Sequence, residues 1–125
     1  MIFDALYKQN GVMGTALQAA SVRNDVITSN IANADTPGYK AKAVDFEASL
    51  TKAIEDYNRT GVLDLSGALP HIRTVNEGFS YRIDKNNVDI ELEMVNLYQN
   101  SIKYDAMINC VQRNSARLNL ALTGR

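Results

Sequence analysis

The chain has 125 residues, 46% of them hydrophobic, with 13 basic against 14 acidic side chains and a formal net charge of −1. That length suits one domain with a buried core, and the balanced charge excludes the basic stripe of a nucleic-acid binder and the basic amphipathic face of a membrane-surface binder. A single cysteine, Cys110, excludes an internal disulfide framework, and no run reaches the ~18 uninterrupted apolar residues of a membrane-spanning helix.

The chain starts MIFDALYKQN, with Asp4 ahead of Lys8 and the apolar residues spaced apart. A cleavable secretory signal would show a basic start and a compact apolar run, so any export is expected to use an uncleaved route. From Phe3 the pattern is helical. Phe3, Leu6, Asn10, Met13, Leu17, Ala20, Asn24, Ile27 and Ile31 keep an a/d seam over four heptads. Asn10 and Asn24 are its polar members, of the kind that fixes register. Val12, Ala16, Ala19 and Val26 form a second stripe of small residues beside it, and no charge falls between Lys8 and Arg23. A solvated helix carries charge on its outer face, so this helix is expected to be buried on more than one side. Gly11 and Gly14 are its weak point, each costing a helix interior about 1 kcal/mol relative to alanine.

The helix runs into NIANADTPGYK, residues 30–40. Thr36-Pro37-Gly38-Tyr39 has type II turn chemistry: proline presets φ at the second position, and glycine accepts positive φ at the third. Proline also drives Thr36 out of helical conformation. Asn33 and Asp35 can close the helix or bond back to local backbone. The helix is therefore expected to end near Asn33, with a sharp turn at Pro37-Gly38. Any helix-to-loop junction can carry Pro-Gly, but the whole string is longer than a turn requires.

Beyond the turn, Val44–Tyr57 places Phe46, Leu50, Ile54 and Tyr57 at helical spacing, predicting a short helix. Gly61 and Gly67 break the pattern. LPHIRTVNEGFSYRI, residues 69–83, mixes β-branched and aromatic residues around a polar NEG turn and suits extended or hairpin structure. KNN then reads as a linker. The last segment is a second long helix, capped at its start by Asn87 or Asp89. Its heptad seam is Ile90, Met94, Leu97, Ser101, Tyr104, Ile108, Val111, Ser115, Leu118 and Leu122. Asp89, Glu91 and Glu93 near its start and Arg113 and Arg117 near its end complement the helix dipole. Leu92, Val95, Ile102, Met107 and Leu120 are apolar outside the seam, so one partner helix cannot cover every face.

No reaction is suggested. With one histidine, His71, which follows Pro70 in an expected loop, and one cysteine, the usual zinc sets cannot be assembled from one chain. Asp84 and Asp89 lack the spacing and glycine of a calcium loop, and GVMG lacks the GK[ST] element of a phosphate loop. Glu91 and Glu93 are explained by the helix dipole. The dispersed tyrosines, not interleaved with lysine or arginine, suit packing and interface anchoring better than base stacking. The expectation is a non-enzyme with no cofactor and no metal, binding neither nucleic acid nor a small-molecule substrate.

Two stretches carry a resemblance. ITSNIANADTPGYKAKAVDFEASL resembles the N-terminal signature of bacterial flagellar axial proteins, an Asn-rich helix end running into a Thr-Pro-Gly-Tyr turn. NNVDIELEMVNLYQNSIKYDAMINCVQ, notably VDIELEMVNL and NSIKYDAM, is similar to the C-terminal run of the same group. The alanine-and-aspartate form of the turn, followed by VDFEASL, points within that group to the basal-body rod protein family and its proximal members. Together the two stretches span about half the chain, at both ends, in family order. The resemblance marks Asn30, Ala32, Asn33, Thr36, Pro37, Gly38 and Tyr39 as the signature turn. It implies a structural subunit of the proximal flagellar rod, polymerising with other rod proteins into the shaft that transmits motor torque through the periplasm. It further implies contact with the membrane-ring protein and a rod adaptor, and transit through the flagellar type III export apparatus.

The expected fold is mainly α. Residues 1–33 and 88–125 form paired terminal helices, each roughly 50 Å long, as an antiparallel coiled coil. Residues 34–87 hold the turn, the short helix and an extended or hairpin region. From the residues alone, a small coiled-coil adaptor or chaperone forming a discrete complex stands as the alternative. The breadth of apolar surface favours a polymer, since large uncovered patches mark interaction sites.

Overall fold

A computed structural model describes residues 2–75, 78 and 83–124. Helix α1 spans Ile2–Ala32, strand β1 Lys42–Asp45, helix α2 Glu47–Thr60, strand β2 His71–Thr74 and helix α3 Ile90–Thr123. The fold is mainly α, and its two long terminal helices pack together as the sequence predicts. Their antiparallel sense follows from two cross-links. Asn100 on α3 donates from Nδ2 to the Ala20 carbonyl at 2.8 Å, and Asn114 donates to Asn10 Oδ1 at 3.5 Å. Moving up α1 therefore means moving down α3.

Helix α1 runs unbroken through Gly11 and Gly14. It closes by tightening: the Asn33 amide is shared between the Ser29 and Asn30 carbonyls, and the Ala34 amide bonds the Ile31 carbonyl at 3.2 Å. Helix α2 starts at Glu47, three residues later than the apolar spacing suggests. Val44 and Asp45, whose spacing imitates a helix start, are instead in β1. Helix α2 ends on Gly61 at φ 74°, whose amide bonds the Tyr57 carbonyl at 2.7 Å. Helix α3 is capped by Asp89, which accepts the Leu92 amide at 3.1 Å.

Strands β1 and β2 pair antiparallel, with Lys42 opposite Thr74 and Asp45 opposite His71. β2 lies in the segment expected to be extended, but its partner comes from before α2. The far side of the expected hairpin, with Asn76, Glu77 and Phe79–Arg82, lies outside the described residues.

Among the described residues, two small cores hold the middle region to the helices. Ala19 packs with Phe46 and Ala68, flanked by Ala16, Leu50, Ala53 and Leu65. Ala16 and Ala19 of the small-residue stripe of α1 are thus covered by the chain's own middle region, while Asn10 and Ala20 meet α3. Ala34, Ala41 and Val88 form the second cluster, with Tyr39 and Val75 against it. Both are built around alanine. The largest side chains fully removed from water are two asparagines, Asn30 and Asn86.

Candidate functional site: an asparagine-pinned turn between two long helices

The signature turn is built by side-chain amides standing in for backbone. Asn30, in the last turn of α1, is fully buried. Its Nδ2 donates to the Lys42 carbonyl at 2.8 Å, and its Oδ1 accepts the Lys42 amide at 2.9 Å and the Tyr39 hydroxyl at 3.2 Å. A buried amide repays its desolvation only when its donors and acceptors are matched. Lys42 presents one donor and one acceptor, as a neighbouring strand would. Next along β1, Arg23 donates to the Val44 carbonyl at 3.3 Å and to Glu47 Oε1 at 2.6 Å. Side chains of α1 thus cover an edge of the small sheet that would otherwise show unpaired backbone.

The reversal has the expected turn chemistry. The Tyr39 amide bonds the Thr36 carbonyl at 3.2 Å, and Gly38 sits at φ 74°, the positive φ that a type II turn needs at its third position. Asn33 Nδ2 holds the Ser29 carbonyl, and the Thr36 hydroxyl donates to Asn33 Oδ1.

The approach to α3 locks onto this turn. Buried Asn86 donates from Nδ2 to the Asn33 and Thr36 carbonyls, both at 2.9 Å, while its Oδ1 accepts the Val88 amide at 2.7 Å. Asn87 accepts the Ala41 amide at 2.7 Å and donates to the Val75 carbonyl at 2.8 Å. The Gly38 amide donates to the Asp84 carbonyl at 2.8 Å. Asn86 was legible only as part of a linker, and Asn87 as linker or candidate cap, a role that Asp89 takes instead. Their signal was residue type: adjacent asparagines before a capped helix offer side-chain bonds to nearby backbone.

The seam residues distribute unevenly. On α1, Ala20 and Ile27 are buried; Leu6, Asn10, Met13, Leu17 and Ile31 are half-buried; Asn24 is exposed; Phe3 lies in the first turn. On α3, Leu97, Ile108, Val111 and Leu118 are half-buried, whereas Ile90, Met94, Tyr104 and Leu122 remain exposed. The α3 positions best shielded from water are Asn100 and Asn114. Leu92, Val95 and Ile102 are 56%, 50% and 69% exposed, so the outer face of α3 carries a strip of uncovered aliphatic residues. In the turn, Ala32, Thr36, Pro37 and Gly38 are exposed and Tyr39 is half-buried.

Two carboxyls near the turn are perturbed. Burial pushes the Glu93 carboxyl above its ordinary value; a hydrogen bond from Asn30 opposes this and the charge of Asp89 adds to it. Burial also acts on Glu47, but the backbone amides at the start of α2 and the Arg23 guanidinium outweigh it and hold that carboxyl low. Among the described residues, no cluster of three or more His, Cys, Asp or Glu could hold a metal ion, and no helix is long and apolar enough to cross a membrane. His71, expected in a loop, instead begins β2 through its pairing with Asp45, and it is exposed.

The model for the flagella basal body rod protein family matches residues 12–40, which include the second half of α1 and the entire turn. The chain is 40% identical over 117 residues to the flagellar basal body rod protein FlgB of Bacillus subtilis, covering 87% of this chain and 88% of that protein. It is 34% identical over 110 residues to FlgB of Proteus mirabilis, covering 77% and 80%. To FlgB of Borrelia hermsii it is 33% identical over 120 residues, covering 85% and 89%.

Proposed function

The chain belongs to the flagellar basal body rod protein family, and from that premise we propose that it is a structural subunit of the proximal rod, one building part of the shaft that carries motor torque. The observation that carries this reading is a likeness of 40% identity covering 87% of the chain. The structure supplies a physical rationale. Helices of 31 and 34 residues give a rod-like body about 50 Å long. Its outer α3 face keeps Leu92, Val95 and Ile102 in water, and burying such a strip against neighbours is the driving force for assembly.

The terminal helices form the inner coiled-coil layer, and the middle region packs on the outer side of α1. The turn sets the angle at which the chain leaves that layer. Asn30, Asn33 and Asn86 bond it to α1, β1 and the approach to α3 at once, so load on one helix passes to the other through short hydrogen bonds. Other rod components are the partners, with the membrane-ring protein and its adaptor at the base. The role is mechanical and needs no cofactor. Delivery uses the flagellar type III apparatus. Mass spectrometry of purified hook–basal bodies tests the assignment. The chain should be retained at a stoichiometry comparable to other rod proteins after detergent and alkaline washes, and its absence from those particles overturns the reading.

A further inference from the structure

We propose that the groove between β1 and the first half of α3 receives the C-terminal end of α3 from a second copy of this chain. The inference rests on the rod reading and names one partner surface within it.

The groove has a cavity volume of about 1020 Å³, at the upper end of the range of ligand-sized cavities. Val26, Ile27, Val44 and Val88 give it an apolar floor. Asp89, Glu91 and Glu93 form its α3 bank. On the opposite bank Arg23 is already committed to Glu47 at 2.6 Å. That leaves three carboxylates facing two lysines, Lys42 and Lys103. Among the described residues none of the three forms an ion pair. Glu93 is also partly buried, and its carboxyl is pushed upward by that burial.

The second observation is Asn100, which also lines the groove. It is 4% exposed, and its Nδ2 is spent on the Ala20 carbonyl. Its Oδ1 is buried with no hydrogen-bond partner among the described residues. An acceptor left so is costly, and it marks this part of the groove as incompletely matched by the chain's own groups; a fitting occupant brings apolar bulk and positive charge.

The end of α3 has these properties. Arg113, Arg117 and Leu120 fall at i, i+4 and i+7, on one helix face. All three are exposed, Leu120 at 58%, and neighbouring Leu122 at 68%. Neither arginine forms an ion pair among the described residues. A guanidinium there can meet Glu91 or Glu93, while Leu120 covers the floor. The occupant cannot be the same molecule. Glu93 and Arg117 lie on one continuous helix, about 36 Å apart along its axis. Contact between the start of one α3 and the end of another is head-to-tail and does not close on itself, the geometry of an open filament.

The test uses assembled particles. In a Cys110→Ser background, Asn96→Cys in the groove and Ala121→Cys, one turn beyond Arg117 at the exposed helix end, are expressed as two single-cysteine chains in the same cells. Purified basal bodies are then treated with a thiol-reactive bifunctional maleimide. The expected result is a dimer from the mixed cells and none from cells carrying either chain alone. In parallel, Glu91→Arg and Arg117→Glu each lower swarming severalfold, and the two together restore it. Particles that contain the chain but give no mixed dimer, or that link position 96 to a different rod protein, overturn the inference and leave the rod reading intact. Absence of the chain from the particles overturns both.

Discussion

Asn30 treats Lys42 as a strand partner: its amide donates to the Lys42 carbonyl at 2.8 Å and accepts the Lys42 amide at 2.9 Å. One buried side chain in the last turn of a helix therefore fixes where the next strand begins. Replacing it by alanine takes the partner from both Lys42 backbone groups and leaves the Tyr39 hydroxyl only Ser29 Oγ at 3.5 Å. Asn30→Ala is expected to cost about 2–4 kcal/mol, from the ~1–3 kcal/mol of each buried unsatisfied group, read as a shift in the urea midpoint. Asn33→Ala, at a half-buried position with local bonds only, costs about 1 kcal/mol. Equal losses would contradict the assignment of Asn30 as the pin.

Gly38 tests the turn itself. Its φ of 74° suits no L-residue well, but a Cβ there meets nothing within 4 Å. The strain of Gly38→Val is therefore purely backbone, about 1–2 kcal/mol. Because the strained residue also donates to Asp84, the loss falls on the junction between α1 and α3. Limited proteolysis should find α2 and its neighbours still protected, while incorporation into basal bodies drops. Normal motility in that variant removes the turn from the account.

How the sequence mapped onto these elements follows from the range of each interaction. The long helices were legible because Leu6, Leu17, Ile27 and their counterparts on α3 repeat at helical spacing, and because Pro37-Gly38 stops the first helix by local stereochemistry. β1 was not legible. Val44, Phe46 and Leu50 imitate a helix start, and what makes Val44 a strand residue is pairing with Ile72, well along the chain. Asn100 and Asn114 were not picked out for the same reason. Their burial comes from bonds to Ala20 and Asn10 across the helix pair, and no local pattern encodes them. The signature residues Asn30 and Gly38 could be named from resemblance, but the roles of Asn86 and Asn87 in holding them required coordinates.

Gly14 has no intramolecular reason to be glycine. It is exposed, lies inside α1 and would place a Cβ in open space. Gly14→Ala is expected to stabilise the isolated chain by about 1 kcal/mol, seen as a higher melting temperature and more helical circular dichroism. No gain in either would contradict an open, helical position 14.

Glu93 gives the pH dependence. Its carboxyl is raised above the ordinary value of 4.5, chiefly by burial, against a hydrogen bond from Asn30 and with Asp89 adding to the rise. An acid with a raised folded-state pKa binds its proton more tightly when folded, so ionising it penalises the fold. The penalty is fully present above the folded pKa and is relieved as pH falls through it toward 4.5. Glu93→Gln should therefore melt higher than the parent at pH 7, with the gap closing as pH falls toward 4.5. A gap that stays constant with pH would point to altered packing instead.

The central claim is that this chain is a necessary part of the rod. Electron microscopy of basal bodies from a strain lacking only this chain tests it most directly. The account predicts particles that retain the membrane ring and lack the rod, with rods restored by the wild-type chain. Complete rods in the deletion strain would contradict it.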